Sequence, residues 1–352
     1  MKYMTFNRSC SYAGFANLLE KYDIYYEDYE IAKALSIPYL FLYFQEEDCY
    51  KAGAMIQSHQ WFNYFSNSVG FDYVEEWHNP QSAIEYFDKN RRSCMLGIII
   101  KTDSNSKHAV IFEDKENEKY RFLNPKRKDS IEPDYYEFDK DELIKKLPPN
   151  IVMGYLVKNQ KIVPFNITDK LVCSVNNIEN YKNKMIEFCS KKQDIKTLIE
   201  TRDILFSPLL LDVLAMMELI GEASLAIDIK NIRDKYMKAM KETQEVLLTD
   251  YIIPEYLNDI ILRYKKVISD YIVKYKIDND NWNKPPLRIT KCIRSPPCSG
   301  GSDSAKPQSG CALCAFLLHH IFPALQNLRF RLFGLAKRQL LRTLGAILLK
   351  WY

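Results

Sequence analysis

The sequence predicts an α+β fold in which an N-terminal helix packs on an antiparallel sheet and an all-helical segment follows. Early apolar residues recur at helical spacing, and the middle of the chain alternates as strands do. From about residue 167 the apolar residues return to three- and four-residue spacing. With 352 residues, 47 % of them hydrophobic and 13 % aromatic, the chain is long enough to build substantial cores.

The first predicted helix follows Cys10 and carries Phe15, Leu18 and Leu19 on one face. Gly70 is expected to end a later helix, and Asn79-Pro80 to begin another. The elements predicted in this part of the chain are, in order, a short helix at 29–35, an aromatic strand at 38–44, a helix at 55–69, a strand at 71–77, a helix from 80 toward 92 and a buried strand at 95–101.

A β-hairpin is the clearest pattern in the middle of the chain. Its predicted arms are 108–112 and 120–123, and the polar run 113–119 is the predicted turn. A strand at 135–138, a short helix at 139–147 and a last strand at 153–157 complete the sheet domain. Asp139, with Glu142 three residues on, is a capping-box signal for the short helix.

Long helices are predicted after the sheet domain, at 180–189, 209–220, 223–247 and 254–275. The very apolar stretch 206–220 is interpreted as a buried helix rather than a ligand pocket. We therefore divide the chain into a cysteine-dependent α+β domain at 1–162, a helical domain at 166–284, and a linker with a basic tail at 285–352. No internal repeat is seen.

The tail differs from the body in charge and composition. Residues 1–284 hold 39 basic and 44 acidic side chains, whereas 285–352 hold ten and one. Its last part, 325–352, would form a basic amphipathic helix able to lie on an anionic membrane. The competing interpretation is that the tail is appended, non-native or disordered sequence, and we expect no nucleic-acid partner from its charge. A zinc site is disfavoured, because only one of its two cysteine pairs (Cys292 and Cys298, Cys311 and Cys314) has ligand spacing.

The cysteines indicate a reducing compartment. Nine cysteines stand at irregular spacing, no basic-then-apolar leader opens the chain, and no run of about 20 apolar residues is present. We therefore expect a cytoplasmic protein. The cysteines embedded in apolar or helical runs are interpreted as core or surface fillers: Cys49, Cys94, Cys173 and Cys189.

Cys10 is the candidate nucleophile. At the start of a helix, unpaired backbone N–H groups and the helix dipole favour a thiolate. His108, at the start of a strand, is the candidate base and acid, and Asn124, at the end of the paired strand, is the candidate group that orients the imidazole. The order thiol, imidazole, amide indicates a papain-like site. For Cys10 alone, an inert cysteine at a helix end remains an equal alternative.

These segments resemble a known family over roughly residues 4–160. The matching motifs are Cys10-x-x-x-Gly14-x-Ala16-Asn17-Leu18-Leu19, Lys107-His108-Ala109-Val110-Ile111 and Leu123-Asn124-Pro125. Together they resemble the N-terminal domain family of butirosin biosynthesis protein H, which is similar to the double-glycine leader cysteine peptidases of bacteriocin exporters. The resemblance implies a papain-like fold, and the helical segment looks like that family's second part.

Two positions depart from the pattern of these families. Asn124 stands where an Asp is usual, so it can orient the imidazole but cannot stabilise an imidazolium by charge. The leader peptidases also carry a Gln several residues before the Cys to bind the oxyanion, and here Asn7 is the available amide.

The resemblance implies acyl transfer from a carrier-protein thioester or amide, through an acyl-Cys10 intermediate, to an amine in peptide or natural-product biosynthesis. An acyl carrier protein or a peptide is the expected partner, and no cofactor or metal is expected. Two alternatives remain. The first is a cysteine peptidase or amidase of the leader-peptidase type, and the second is a non-catalytic binding or scaffold module with a degenerate site.

Overall fold

The computed structural model describes residues 1–89, 92–100, 107–159, 167–242 and 245–280, with side chains described as far as residue 275. The predicted domain boundary at 162–166 and the predicted tail at 285–352, with its cysteines and amphipathic helix, lie outside these residues. Among the helices that are described, none has the length and apolar character needed to span a membrane.

Ten α-helices and ten strands are found in the described residues. The helices are α1 Cys10–Glu20, α2 Asp28–Ala34, α3 His59–Ser68, α4 Pro80–Lys89, α5 Lys140–Lys146, α6 Thr168–Cys189, α7 Ile195–Thr201, α8 Leu214–Ile220, α9 Ala223–Ala239 and α10 Pro254–Asp280. The strands are β1 Phe41–Phe44, β2 Cys49–Ala52, β3 Phe71–His78, β4 Cys94–Ile99, β5 Lys107–Glu116, β6 Lys119–Leu123, β7 Tyr135–Phe138, β8 Ile151–Lys158, β9 Lys192–Gln193 and β10 Val246–Leu247.

The main sheet has six antiparallel strands in the order β3-β8-β4-β5-β6-β7. Its register brings two candidate site residues together. Ile111 of β5 lies opposite Leu123 of β6, so one further step places Val110 opposite Asn124. His108 is two residues from Val110, on the same face of β5, which makes it a diagonal neighbour of Asn124.

Each face of this sheet is covered by helices. One core holds buried side chains of α1 and α3 with one face of the strands: Phe15, Leu18, Phe62, Phe65, Tyr73, Met95, Ile111, Leu123 and Leu156. The other core holds buried side chains of α4 and α5 with the opposite face: Ala83, Ile84, Phe87, Leu96, Val110, Phe122, Leu143, Leu147 and Met153. The alternation along each strand divides its side chains between the two cores.

The helical segment shares the first of these cores. Ser174 and Asn177 of α6 bind the backbone of Phe41 at the start of β1, at 2.9 Å from its N–H and 2.9 Å from its carbonyl. Two irregular π-helical turns, Arg202–Phe206 and Pro208–Val213, lead into α8. The described residues belong to one compact unit.

The predicted architecture, a helix on an antiparallel sheet followed by helices, is confirmed. Several details differ. Strand β5 continues to Glu116, and the turn is made by Asn117 and Glu118, both with positive φ (49° and 63°). Helix α6 begins at Thr168 rather than 180, α9 ends at Ala239 rather than 247, and β2 pairs with β1 in a hairpin that the sequence did not indicate.

Candidate active site

Cys10 is the first residue of α1 and is half-buried. A turn leads into the helix, in which the Ser9 N–H donates to the Phe6 carbonyl at 3.3 Å and Arg8 adopts a left-handed φ of 62°. This turn sets the thiol at the end of the helix where backbone N–H groups lack partners within the helix. Cys10 therefore lies at the start of a helix, where the sequence places it.

Gly14 allows α1 to lie close to the strand that carries His108. A Cβ atom at this position would lie 3.0 Å from the Met95 Sδ and 3.7 Å from the Ala109 Cβ. Because Gly14 is about one turn after Cys10, it lies on the same side of the helix. The Cys10-x-x-x-Gly14 spacing thus has a physical reason: the glycine brings the thiol to the strand.

Asn17, the other polar residue of the first motif, ties the chain terminus to α1. Its side chain is buried and exchanges two hydrogen bonds with the backbone of Lys2, at 2.7 and 2.9 Å, and also donates to the Ala13 carbonyl at 2.7 Å. These bonds fix the start of the chain alongside the helix that carries Cys10.

His108 and Asn124 are joined by a hydrogen bond of 2.7 Å between Nε2 and the amide oxygen Oδ1. The orientation of the fully buried amide follows from its other contacts. Its Nδ2 donates to the Pro133 carbonyl at 2.8 Å and to the Tyr136 hydroxyl at 3.2 Å, and a carbonyl can only accept. Oδ1 therefore accepts from Nε2–H, which leaves Nδ1 of the imidazole for the thiol.

Cys10 and His108 each favour the charged form of the other. Burial opposes ionisation of the thiol, but the hydrogen bond and charge of His108, the backbone of Ala109 and the Ser11 side chain outweigh it, and the pKa of Cys10 is lowered. Burial would also lower the pKa of His108, yet the thiol and then Asn124 raise it. Both directions favour a thiolate beside an imidazolium.

The other described cysteines are different. Burial raises the pKa of Cys94 and of Cys49, and it raises that of Cys189 to about 12. Cys173 is exposed on α6. No disulfide joins these cysteines, since all are free. At Cys49 burial and the charge of Glu47 outweigh the opposing charge of Lys51. A buried thiol whose neighbours do not offset burial stays protonated, which is how inert cysteines behave.

Asp28 holds the segment that precedes Cys10. Its fully buried carboxylate accepts from the Thr5 N–H at 2.8 Å, the Ser9 hydroxyl at 2.6 Å and the Tyr29 N–H at 2.7 Å, as well as from the Thr5 hydroxyl. Asp28 is the first residue of α2, where a carboxylate also benefits from the helix dipole. The approach to the nucleophile is therefore anchored to a second helix.

The helical segment contacts the same approach through Asp212. The Arg8 guanidinium lies 3.6 Å from the Asp212 carboxylate, which is 3 % exposed and has one oxygen, Oδ1, without a hydrogen-bond partner. Burial raises the pKa of Asp212 to about 7, although Arg8 acts in the opposite direction. This contact joins the turn before Cys10 to a residue 204 positions further along the chain.

Asn7 and two other histidines, His59 and His78, stand apart from this arrangement. The amide oxygen of Asn7 accepts from Arg127 at 3.5 Å, and its role with the oxyanion stays a prediction. His59 begins α3, and His78 lies 3.5 Å from Glu76 at the end of β3. Within the described ranges, no group of three or more His, Cys, Asp or Glu side chains is placed to hold a metal ion.

Sequence reasoning missed four contributors to the site. Ser11 and the backbone of Ala109 were adjacent to residues already chosen, so their position in the chain was a usable signal. Asp28 and the Arg8–Asp212 contact had no such signal, because nothing local marks either acidic residue as a partner of the Cys10 approach.

No family model matches this chain, and no curated protein matches it either. Among solved structures, it is similar to the crystal structure of the peptidase domain of Streptococcus ComA, titled a bi-functional ABC transporter involved in a quorum sensing pathway. The likeness has a TM-score of 0.32 and 12 % sequence identity, and it covers 45 % of this chain and 96 % of that one. At these values it is too distant to transfer an activity.

Proposed function

We propose that this protein is a papain-like thiol acyltransferase that works through an acyl-Cys10 intermediate. The observation that carries the proposal is the connected set of Cys10, His108 and Asn124, in which the pKa of the thiol is lowered and that of the imidazole raised. A thiolate held by an oriented imidazole is the arrangement that nucleophilic thiol catalysis requires.

In the first step the Cys10 thiolate attacks the acyl carbon of a thioester or amide. The new carbon–sulfur bond forms as the leaving group departs with a proton from Nδ1 of His108. In the second step an amine attacks the acyl-Cys10 carbonyl and passes its proton to His108, so the products are an amide and the original thiolate–imidazolium pair. Asn124 keeps Nε2–H engaged and Nδ1 toward the sulfur in both steps.

What supports transfer rather than hydrolysis is the helical segment beside the approach to Cys10. Asp212 contacts Arg8, two residues before the nucleophile, so a second layer of the chain adjoins the site. A covered acyl-enzyme meets fewer water molecules and is left for an amine. We propose a cytoplasmic role on an acyl carrier protein or a peptide substrate.

The test uses the full chain and acetyl-N-acetylcysteamine, a small mimic of a carrier thioester. Intact-mass spectrometry should show a single acetyl adduct that maps to Cys10 and is absent from Cys10→Ala. The adduct is then chased with glycine ethyl ester or with buffer alone.

Faster loss of the adduct with the amine, with formation of the N-acetyl product, supports a transferase. Loss at one rate in both chases, with acetate as the product, indicates a hydrolase of the peptidase or amidase type. Absence of any adduct, with the carrier thioester itself as well as with the mimic, contradicts an acyl-enzyme and favours a binding module.

A further inference from the structure

We propose that Asp28 is a positioning residue for Cys10, because it holds the Ser9 hydroxyl and prevents that hydroxyl from capping α1. The backbone N–H groups of the first turn then remain available to negative charge at Cys10. The catalytic consequence rests on the proposed thiol chemistry, whereas the effect on the thiol itself does not.

Ser9 occupies the N-cap position of α1 but does not act as a cap. A capping serine has extended backbone angles, and its hydroxyl accepts from the N–H two or three residues on. Ser9 instead has φ −79° and ψ 16°, makes no side-chain cap hydrogen bond, and its hydroxyl donates to Asp28 at 2.6 Å.

The same chain uses side-chain caps elsewhere. Asp139 accepts from the Glu142 N–H at 2.8 Å at the start of α5, and Asp194 accepts from the Thr197 N–H at 2.6 Å at the start of α7. Other helices also begin without a side-chain cap, among them α3, which follows Ser58. What distinguishes α1 is that the hydroxyl of its N-cap serine is held by a contact with Asp28.

A capped α1 would serve the nucleophile less well. The hydroxyl of a capping Ser9 would accept a hydrogen bond from the N–H of Ser11 or Tyr12, which belong to the turn that begins with Cys10. Those N–H groups, with the helix dipole, stabilise negative charge at the end of the helix. Because Asp28 holds the Ser9 hydroxyl away, these N–H groups can stabilise the negative sulfur. They can also stabilise the oxyanion that develops on the acyl group attached to it.

Asp28→Asn tests the role with little change of shape. Each carboxylate oxygen accepts from a backbone N–H, Oδ2 from Thr5 and Oδ1 from Tyr29. An amide has only one oxygen, so in either orientation its NH2 group faces an N–H. The substitution therefore weakens the hold on Ser9, and its hydroxyl can cap α1 once the Ser9 backbone turns to extended angles.

The measurement is the rate at which iodoacetamide alkylates Cys10 between pH 4 and 10, followed by peptide mass spectrometry. We expect Asp28→Asn to raise the pKa of Cys10 by roughly one unit, which slows alkylation about tenfold at pH values below the wild-type pKa. Simple removal of a nearby negative charge has the opposite sign, because it would lower the pKa of a thiol.

The double variant Asp28→Asn with Ser9→Ala decides the mechanism. Alanine cannot cap α1, so we expect the double variant to alkylate within about threefold of wild type in the same pH range, which is a recovery rather than a further loss. A double variant as slow as Asp28→Asn, or slower, would overturn the proposal. Ser174→Ala is the matched control for loss of a buried serine hydroxyl away from this turn, and it should leave Cys10 alkylation unchanged.

Ser9→Ala alone keeps the proposal testable if Asp28→Asn does not fold. If Asp28 holds the Ser9 hydroxyl, as we propose, removal of that hydroxyl leaves the pKa of Cys10 within about 0.3 of the wild-type value. A fall of about one unit would mean that Ser9 caps the helix in solution, and it would overturn the proposal. These outcomes need no acyl donor, so they are independent of whether the acyl-enzyme is detected.

Discussion

Two cysteines at opposite ends of two helices show what sets the charge state of a thiol in this fold. Cys10 is the first residue of α1, and Cys189 is the last residue of α6. Burial raises the pKa of Cys189 to about 12, whereas the pKa of Cys10 is lowered even though burial opposes its ionisation as well. The surroundings thus favour the thiolate form of Cys10 and the neutral thiol form of Cys189.

The difference comes from what opposes burial at each site. At Cys10 the hydrogen bond and charge of His108, with the Ala109 backbone and the Ser11 side chain, outweigh burial, whereas burial at Cys189 is unopposed. The charged neighbour and its hydrogen bonds therefore decide the state of a buried thiol, more than its depth. This comparison gives four predictions.

The largest effect is expected from Cys10→Ala. If acyl transfer passes through this sulfur, turnover should fall by at least about 10⁴-fold, because the remaining groups have no nucleophile to act with. The measurement is the rate of amide formation with acetyl-N-acetylcysteamine and an amine. Retention of more than one tenth of the wild-type rate would place the chemistry elsewhere.

The second effect is expected from His108→Ala, which makes the surroundings of Cys10 more like those of Cys189. Without the imidazole, the remaining burial raises the pKa of Cys10, so the thiolate that persists below the free-thiol pKa of about 8.5 is lost. Turnover should fall by roughly 10²- to 10⁴-fold. Addition of free imidazole is a useful control, because partial rescue indicates a missing proton carrier rather than a damaged fold.

Asn124 gives a smaller effect with a diagnostic pair of variants. In Asn124→Ala the Nε2–H loses its acceptor, and we expect turnover to fall about tenfold, the size of one lost hydrogen bond. In Asn124→Asp a carboxylate oxygen replaces the NH2 group that donates to the Pro133 carbonyl at 2.8 Å.

The aspartate variant should therefore lose stability by about 1–3 kcal/mol, measured by urea unfolding at pH 7.5, despite its better charge for an imidazolium. This clash also gives a physical reason for an amide at this position. If Asn124→Asp were as stable as wild type, the contact with Pro133 would not explain the amide.

The smallest functional effect is expected from Cys189→Ala. This thiol lies 1 % exposed among apolar side chains and contributes no charge to the Cys10 site. Turnover should stay within about twofold of wild type, while the free energy of unfolding falls by about 1 kcal/mol from lost packing. A large loss of turnover at constant stability would remove the contrast between the two helix ends.

Much of the fold could be predicted from local patterns. The helix after Cys10 and the hairpin that carries His108 could be predicted, because in both segments the apolar periodicity of the sequence agrees with the burial of the side chains. The turn was misplaced because the charged end of β5 looks like a loop. In this part β5 pairs with β6 and no longer with β4, and most of its charged side chains are exposed. Helix α6 was started late because its buried stripe includes the polar Ser174, which binds the Phe41 backbone.

The site was predictable only in part for a related reason. Cys10, His108 and Asn124 have local signatures in helix starts and strand ends, and their order along the chain is informative. Asp28 and Asp212 act on the approach to Cys10 through contacts between distant segments. No periodicity, cap signal or charge pattern indicates such partners, since tertiary packing alone selects them.

The most direct test of the account compares both helix ends in one sample. Iodoacetamide alkylation of Cys10 and Cys189 is followed by peptide mass spectrometry from pH 4 to 10, in the folded protein and in urea. We expect Cys10 to react well below pH 8.5 and Cys189 to react only in urea, where both titrate as free thiols. A Cys10 that titrates near 8.5 or above in the folded protein, with no change in His108→Ala, would contradict an activated thiol.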